Sequence, residues 1–529
     1  MHVLPKRKAP PKGQPPMQPA QAFSFPSPMR GLVLNENIAL PTPGGALILD
    51  NWICTTKGIK ARGGTALHVP LGGEVRSMFV YRSGGAEIAF AATDTTIRNI
   101  SVSGIVPPAV TVSGQTSGNY SHEQFGTAGG DYLYAVNGTD KAQLFDGVTW
   151  TRIDAASVPA ITGVSTALFS NVWSFANRLF FVEKNTMTAW YLPVDSIGGA
   201  AQSFSLAGIF KRGGSLLFGA TWSMDAGDGL DDKCVFISDQ GEVAVYEGTN
   251  PGSAADWHKA GVYSITPPLG ARGKMQAGGD LLIATQVGLV PISQAISRDP
   301  AALELGAVTK NITPLWQKKA FELGAGAWEI EKWPSENIII VSQPGDNERS
   351  CLVCNLQTGA WSRFTGISVQ CLTYFDGSVM FGGKDGSIYR FESGGSDDSI
   401  PYTCVYLGQH DPMATPGIEK TIAQMRVTFQ LSTPVAPFIS AKVNHDLTIS
   451  SPPNAVTQES EAAVWGVSLW GGATWGGSSI AQTRALWSAI GRTGYAIAPE
   501  VQLTFGSISK PKIELVGIDA TFHVGAMVT

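Results

Sequence analysis

YLYAVNGTDKAQLF, residues 132–145, decides the reading of the fold. Tyr132–Val136 alternates large apolar residues up to Asn137-Gly138, and a second run ends at Phe145. Asn-Gly accepts the positive φ angles of a tight hairpin turn, so the stretch predicts two antiparallel strands. The same texture recurs in NRLFFVEKNTMTAWYLP around Phe180 and Trp190, KCVFISDQGEVAVYEG around Phe236 and Val243, and GDLLIATQVGLVPIS around Leu282 and Val290. ENIIIVSQPGDNERSCLVCNLQTGAWSRF and GSVMFGGKDGSIYRFES close the series. Units of this kind, recurring at roughly 30 to 50 residues, are how propeller blades read in sequence. Between Val75 and Ser393 six or seven of them stand out, without a WD or kelch signature. The expected fold is therefore all-β, a degenerate β-propeller of six to eight blades over 75–393; stacked sandwiches are the alternative.

The flanks read differently. Residues 1–30 (MHVLPKRKAPPKGQPPMQPAQAFSFPSPMR) form a basic, proline-rich arm with Lys6, Arg7, Lys8 and Lys12, expected to be extended because it cannot bury enough apolar surface to fold alone. Residues 31–74 lead into the first unit. SGGSDDS, 393–399, is polar and flexible enough to mark a boundary. Beyond it QMRVTFQLS, FISAKVNHDLTIS, AIAPEVQLTFGS and KIELVGIDATFHV alternate with period two, which predicts an antiparallel β-sandwich or platform over 394–529. Helix is expected only at PAALELG after Asp299 and near Leu315–Leu323.

At 529 residues the chain exceeds one ordinary core. Charged residues make up 15%, against about a quarter in ordinary soluble domains, so much of the surface is expected to be covered by something other than water. The formal charge of -5 argues against a protein that grips nucleic acid by its phosphates, and is compatible with a wall past which DNA must slide. Six cysteines over this length are too sparse for a disulfide scaffold and read as free thiols of a reducing compartment. The Lys- and Pro-rich start has no apolar core of a signal peptide behind it, and no run of about 18 uncharged apolar residues predicts a membrane-spanning helix.

Candidate chemistry is thin at the level of motifs, and the chain is expected to be no enzyme, with no cofactor and no metal. Cys351-Leu-Val-Cys354 lacks a second ligand pair and a βα setting, leaving two buried strand cysteines. His122-Glu123 opens like a zincin motif but has Gly126 where the second histidine belongs. DAGDGLDD, with Asp225, Asp228, Asp231 and Asp232, lacks the spacing of a calcium loop and reads as a solvated turn. GARGKM around Lys274 matches a phosphate loop only in outline. Asp146-Gly147 and Asp385-Gly386 come near the Asp boxes of sialidase-like propellers, and hairpin-turn chemistry explains them. Trp465, Trp470 and Trp475 stand five apart, which sends successive rings to opposite faces of a strand; they pack on their own sheet or a neighbour, or touch a cell envelope.

One segment resembles a known family. GLVLNENIALPTPGGALILDNWICTTKGIKARGGT, 31–65, is similar to the opening of tail-nozzle proteins of short-tailed bacteriophages, of the tail tubular protein B and packaged-DNA stabilisation type. The matching residues are Pro43, Ala46, Leu49, Asp50, Asn51, Trp52, Gly58, Ile59, Arg62, Gly63 and Gly64, and the run from Trp465 through Trp487 to GYAIAPEVQ resembles the end of such proteins. The proline-rich extension before Met29 departs from the pattern. The resemblance implies a virion protein assembled in the host cytoplasm: a homo-hexameric ring below the portal adaptor that retains packaged DNA and opens as a channel for its ejection. Double-stranded DNA would pass without specific binding, and tail fibres, tailspikes and the host envelope are further partners it implies. Asn51, Trp52, Arg62, the arm cations and the three tryptophans are the expected interaction residues, with a local intrachain ion pair as the other reading of Arg62. A receptor-binding or glycan-degrading phage propeller is the rival function.

Overall fold

The computed structural model describes residues 20–35, 41–223, 232–326, 328–343, 345, 349–432, 435–456, 482–507 and 509–525. Strands dominate, and most belong to small antiparallel sheets made of residues adjacent in sequence. The first sheet is Ser77–Ser83, Ala86–Ala92, Thr96–Asn99 and Val110–Ser113. The second runs from Ser121–Thr127 to Trp150–Arg152, the third from Phe169–Phe175 to Gln202–Ser205, and the fourth from Leu216–Trp222 to His258–Ser264. A fifth has three strands, Lys274–Gln276, Leu281–Thr285 and Gly288–Pro291. The sixth group is Glu329–Trp333, Ile338–Ser342, Ser350–Asn355 and Trp361–Thr365. In the seventh, Cys371–Phe375, Ser378–Gly382 and Ser387–Gly394 are completed by Gly64–Pro70 from far upstream.

Each sheet packs on the next, mostly through its first strand, and the first strand of the seventh returns to that of the first. The order is propeller-like: strands pair where local alternation and turns bring them together, and the apolar faces of successive sheets close on one another. Separate buried clusters fill the gaps, such as Phe79, Phe90, Tyr120 and Phe145 between the first and second sheets, and Phe180, Phe236, Tyr246 and Trp257 between the third and fourth. Beside the three-stranded fifth sheet lie the helices Leu303–Gly306 and Thr313–Leu323, where helix was expected, and a further one, Ile292–Ser297, where it was not. Trp316 on the second helix is fully buried, and its indole donates to the Thr285 carbonyl at 2.8 Å.

The remaining strands form two sheets around the largest core. One orders Gln482–Gly494, Lys420–Leu431, Ile513–Val524, Ile59–Ala61 and Trp52–Cys54, with Gln21–Phe25 also paired to Ile513–Val524. The other continues the sixth group: Trp361–Thr365 meets Gly31–Leu32 and Gly45–Asp50, followed by Tyr402–Gly408, Ile497–Phe505 and Phe438–Val443. Val427, Phe429 and Ile518 of the first share one cluster with Tyr406, Val501 and Leu503 of the second.

Three expectations need correcting. Asn137-Gly138 does not make a two-residue turn: only Gly138 takes a positive φ (69°), and Asn137 Oδ1 accepts from Thr139 N at 3.0 Å and Asp140 N at 2.8 Å, so a longer Asx-type loop joins the strands. Residues 1–30 are not wholly an arm, because Gln21–Phe25 pairs with Ile513–Val524 and Phe25 is buried. The boundaries at 31, 75 and 394 cut through sheets, since Gly64–Pro70 pairs with Ser387–Gly394 while Gly45–Asp50 pairs with Tyr402–Gly408. Strand pairing ignores sequence distance once a complementary edge is present, and no local pattern signals it.

Close packing between sheets gives a direct test. A Cβ on Gly219 would stand 2.2 Å from the Trp173 ring of the preceding sheet. Gly219→Ala should lower the thermal transition by an overpacking penalty of about 1–3 kcal/mol, and Trp173→Phe in the same chain should recover part of it. Calorimetry of the two variants checks this, and an unchanged transition in Gly219→Ala would contradict the packing described.

Candidate functional site

Two places gather polar side chains inside this fold. The first lies on the axis of the seven sheets, where side chains from first strands that are not neighbours in the ring meet. Arg272, just ahead of the fifth sheet, donates to the Arg76 carbonyl beside the first sheet at 3.0 Å and stands 3.4 Å from Glu329 of the sixth. Lys274 of the fifth donates to the Gly219 carbonyl of the fourth at 2.6 Å, lies 4.7 Å above the Phe218 ring, and senses the charge of Glu123 in the second sheet. Glu123 accepts from the Ser174 hydroxyl of the third at 2.5 Å. Arg82 of the first donates to the Tyr374 carbonyl of the seventh at 2.8 Å, and its own amide donates to Gln124 of the second at 2.8 Å. The Thr221 hydroxyl of the fourth donates to the Ser174 carbonyl of the third at 2.6 Å and Leu372 N of the seventh to Glu329 of the sixth at 3.4 Å, so every step around the ring carries a polar tie in addition to apolar packing.

Charge at the axis is set by enclosure. Burial raises Glu123 above the ordinary carboxylate range, while Ser174 and Lys274 pull it back. Burial lowers Lys274 to about 8, against the pull of Glu123. Glu329 is raised by burial and eased by Arg272; Glu331, two residues along the same strand, is pushed to about 8 by burial and then by Glu329. His122 is exposed at the axis yet hemmed in by protein, and that enclosure, with Arg272, Arg82 and Lys274, takes it down to about 4. At neutral pH the cluster therefore presents a neutral imidazole at His122 and a carboxyl that holds its proton at Glu331. Motif reading dismissed His122-Glu123 and GARGKM one at a time; the signal available was a first-strand position for each, which becomes meaningful only when the ring closes.

The second place is the junction of the ring with the two larger sheets. Arg62 has no exposed surface. Its guanidinium grips Asp397 at 2.8 and 2.6 Å, gives Nε to Asn51 Oδ1 at 2.8 Å, and lies 4.1 Å from the centre of the Tyr402 ring. Asn51, with a φ of 63°, donates to the Thr403 carbonyl at 2.7 Å and accepts from the Thr365 amide at 2.9 Å. Trp52 is fully buried beside them. These three expected interaction residues are interior, and for Arg62 the geometry is that of an intrachain ion pair. A cleft of about 820 Å³ opens next to them, lined among others by Asp385, Tyr389, Asp398 and Ile400.

Lys6, Arg7, Lys8, Lys12, Trp465, Trp470 and Trp475 lie outside the described residues, as do Asp225, Asp228 and Asp231. All six cysteines are buried and none is disulfide-bonded, Cys351 and Cys354 sharing one strand. Asp146 accepts from the amides of Val148 and Thr149 at 2.9 and 2.7 Å, which is turn chemistry. Among the described residues no helix is long and apolar enough to cross a membrane.

No family model matches the chain, and no curated protein does. Solved structures with some likeness include the computationally designed Ika8 protein, at 11% identity over 62% of this chain and 99% of that one, with a TM-score of 0.34. Saccharomyces cerevisiae Sqt1 aligns at 11% identity over 62% of this chain and 85% of its own, with a TM-score of 0.38. The extracellular domain of the B. thetaiotaomicron hybrid two-component system BT3049 aligns at 10% identity over 67% and 44%, with a TM-score of 0.40. None of these bears on function.

Two expectations follow. Arg62→Met leaves Asp397 in the interior without its partner and should cost about 3–5 kcal/mol, with Arg62→Lys losing less because the charge is kept; equilibrium unfolding of the two variants measures this. Glu331, raised in the folded chain from 4.5 to about 8, binds its proton more tightly folded than unfolded. Its contribution is fully present below the unfolded value and is lost as pH rises through about 8. Melting temperature should accordingly fall as pH is raised across that window, and Glu331→Gln should flatten the slope.

Proposed function

We propose that the chain is a structural subunit of a phage tail nozzle, with the seven sheets as blades of a β-propeller body and the two larger sheets as the sandwich or platform by which copies join into a six-fold ring. The observation that carries this reading is the strand Gln482–Gly494. Its thirteen residues pair on one side with Lys420–Leu431, and among the described residues nothing pairs on the other. Ala485, Trp487 and Ala489 are exposed along it, Trp487 by 55%. Arg484 near one end, and Arg492 with a register shift at Gly491 (φ 64°) near the other, blunt the ends of this edge, and the stretch between them, with aromatic and small apolar side chains, is a template for another chain.

The two sides of that sheet are unlike: Gln482–Gly494 stands at one, and Gln21–Phe25, which follows the basic arm, lies across Ile513–Val524 on the other. Contact between unlike edges is heterologous, and repeated heterologous contact closes rings. The resemblance of 31–65 and of the tryptophan-rich run to nozzle proteins supplies the ring size, the portal adaptor above it and the DNA that passes through. The net charge of -5 accords with passage in place of binding. Side chains that meet across the propeller axis leave the passage to the centre of the ring of copies. A glycan-degrading propeller is the second reading, favoured by the proton-holding Glu331 next to Glu329 on the axis; sugar turnover abolished in Glu331→Gln would carry it.

Electron microscopy of the purified chain should show six-fold rings with an axial passage, and particles that stay monomeric at high concentration would sink the proposal. Trp487→Glu with Ala485→Lys should shift the chain to monomers in sedimentation without lowering its melting temperature. Removing residues 1–19 should leave the ring intact and weaken its attachment to the portal adaptor.

A further inference from the structure

His410 follows the strand Tyr402–Gly408 and is 1% exposed, yet neither of its ring nitrogens has a hydrogen-bond partner in the protein. A buried imidazole ordinarily satisfies both, because each unmet polar group costs about 1–3 kcal/mol. A second imidazole packs against it. His445, an exposed residue, stands with its ring centroid 5.0 Å from that of His410 and the planes inclined by 47°.

His445 is held there by the backbone. After Phe438–Val443 the chain turns at Asn444 and His445, whose φ values of 52° and 65° are both left-handed, and Asp446 N closes the turn on the Val443 carbonyl at 3.1 Å. Asn444 ties the turn to the adjoining strand, its amide donating to the Ala496 carbonyl at 2.9 Å and its Oδ1 accepting from Tyr495 N at 2.8 Å. Asn and His are among the side chains that tolerate a left-handed φ, and two such residues in succession give the φ pattern of an ordinary type I′ turn, as at Ala176-Asn177 in this chain. At Asn444-His445 it places a second imidazole over the unsatisfied one.

We propose that His410 and His445 bind a divalent transition metal of the zinc, nickel or copper class. Metal–nitrogen bonds of about 2.0–2.1 Å at tetrahedral to square angles put two coordinating imidazole centroids about 4.6–5.3 Å apart, and the observed separation falls inside that range. Borderline cations of this class favour imidazole nitrogen as a ligand. Asp446 adds negative charge beside His410 and engages Thr448 through Oδ1 at 2.9 Å. Among the described residues no three His, Cys, Asp or Glu stand together at ligand spacing, so the site is a two-imidazole one whose other positions fall to water.

The site clips the turn after Phe438–Val443 to the segment after Tyr402–Gly408, so its occupation should stiffen the larger of the two C-terminal sheets. Titration of the full-length chain with zinc chloride and with nickel chloride, read by calorimetry and by melting temperature, tests this. One equivalent should bind at micromolar concentration with a rise of a few degrees. His445→Ala, at an exposed position whose left-handed φ disfavours alanine, should lower the metal-free melting temperature only slightly, weaken metal binding at least tenfold and abolish the metal-induced rise. His258→Ala, at a surface histidine paired with Glu247, should change nothing. Copper bound to the wild-type chain should show two nitrogen ligands by electron paramagnetic resonance, and one in His445→Ala. Binding weaker than millimolar in the wild type, or affinity unaltered in His445→Ala, would overturn the proposal.

Discussion

Arg62 and Asp397 hold the molecule's two halves to each other. The pair joins residues 335 apart, at a point where the entry segment, the strand Trp361–Thr365 and the C-terminal chain converge. An arginine with no exposure is costly to desolvate, and only a partner with matched fork geometry and further acceptors makes the site favourable. Asn51, the Gly63 carbonyl and the face of Tyr402 supply those acceptors and that packing. Because each contributor comes from a different element, the network fixes their mutual position in a way apolar contact alone does not. The nearby Asp50–Arg363 pair, at 2.8 Å, repeats the device one strand further out.

The axis of the ring follows the same logic with less complete closure. Ring sheets pack through apolar faces that carry no positional code, and polar ties from Arg82, Glu123, Lys274 and Arg272 set the register of one sheet against the next. Arg272 pairs with Glu329 and Lys274 lies within the field of Glu123, whereas Glu331 has a carboxylate neighbour and meets its burial by keeping its proton. This makes the centre of the body responsive to pH while the junction at Arg62 stays charged.

Topology explains why the two ends of the chain matter together. Gly64–Pro70 completes the last sheet of the ring, and Gly45–Asp50 and Ile59–Ala61 enter the C-terminal sheets. Closure by a strand from the opposite end protects an edge that would otherwise remain open. It also makes folding depend on contacts between distant parts of the chain, which form late and slowly. Gln482–Gly494 is the longest edge strand left open among the described residues, and the proposed ring gives it a use.

Local chemistry in the sequence determined the strands themselves: alternation around Phe180, Phe236 and Leu282 with intervening Gly, Asp and Asn places antiparallel pairs where the structure has them. It also settled the cysteines of Ser350–Asn355 and the turn at Asp146, since burial in a strand and Asx hydrogen bonding depend on a few neighbouring residues. Tertiary structure alone decided that Gln21–Phe25 belongs to a sheet, that Gly64–Pro70 closes the ring, and that His122, Glu123, Arg272, Lys274 and Glu329 share an axis. It alone paired Arg62 with Asp397 and set His410 beside His445. The reason is range. Backbone propensity and turn geometry act over a handful of residues and leave a mark in sequence, whereas charge pairing and ligand geometry act through space between residues whose separation along the chain carries no signal.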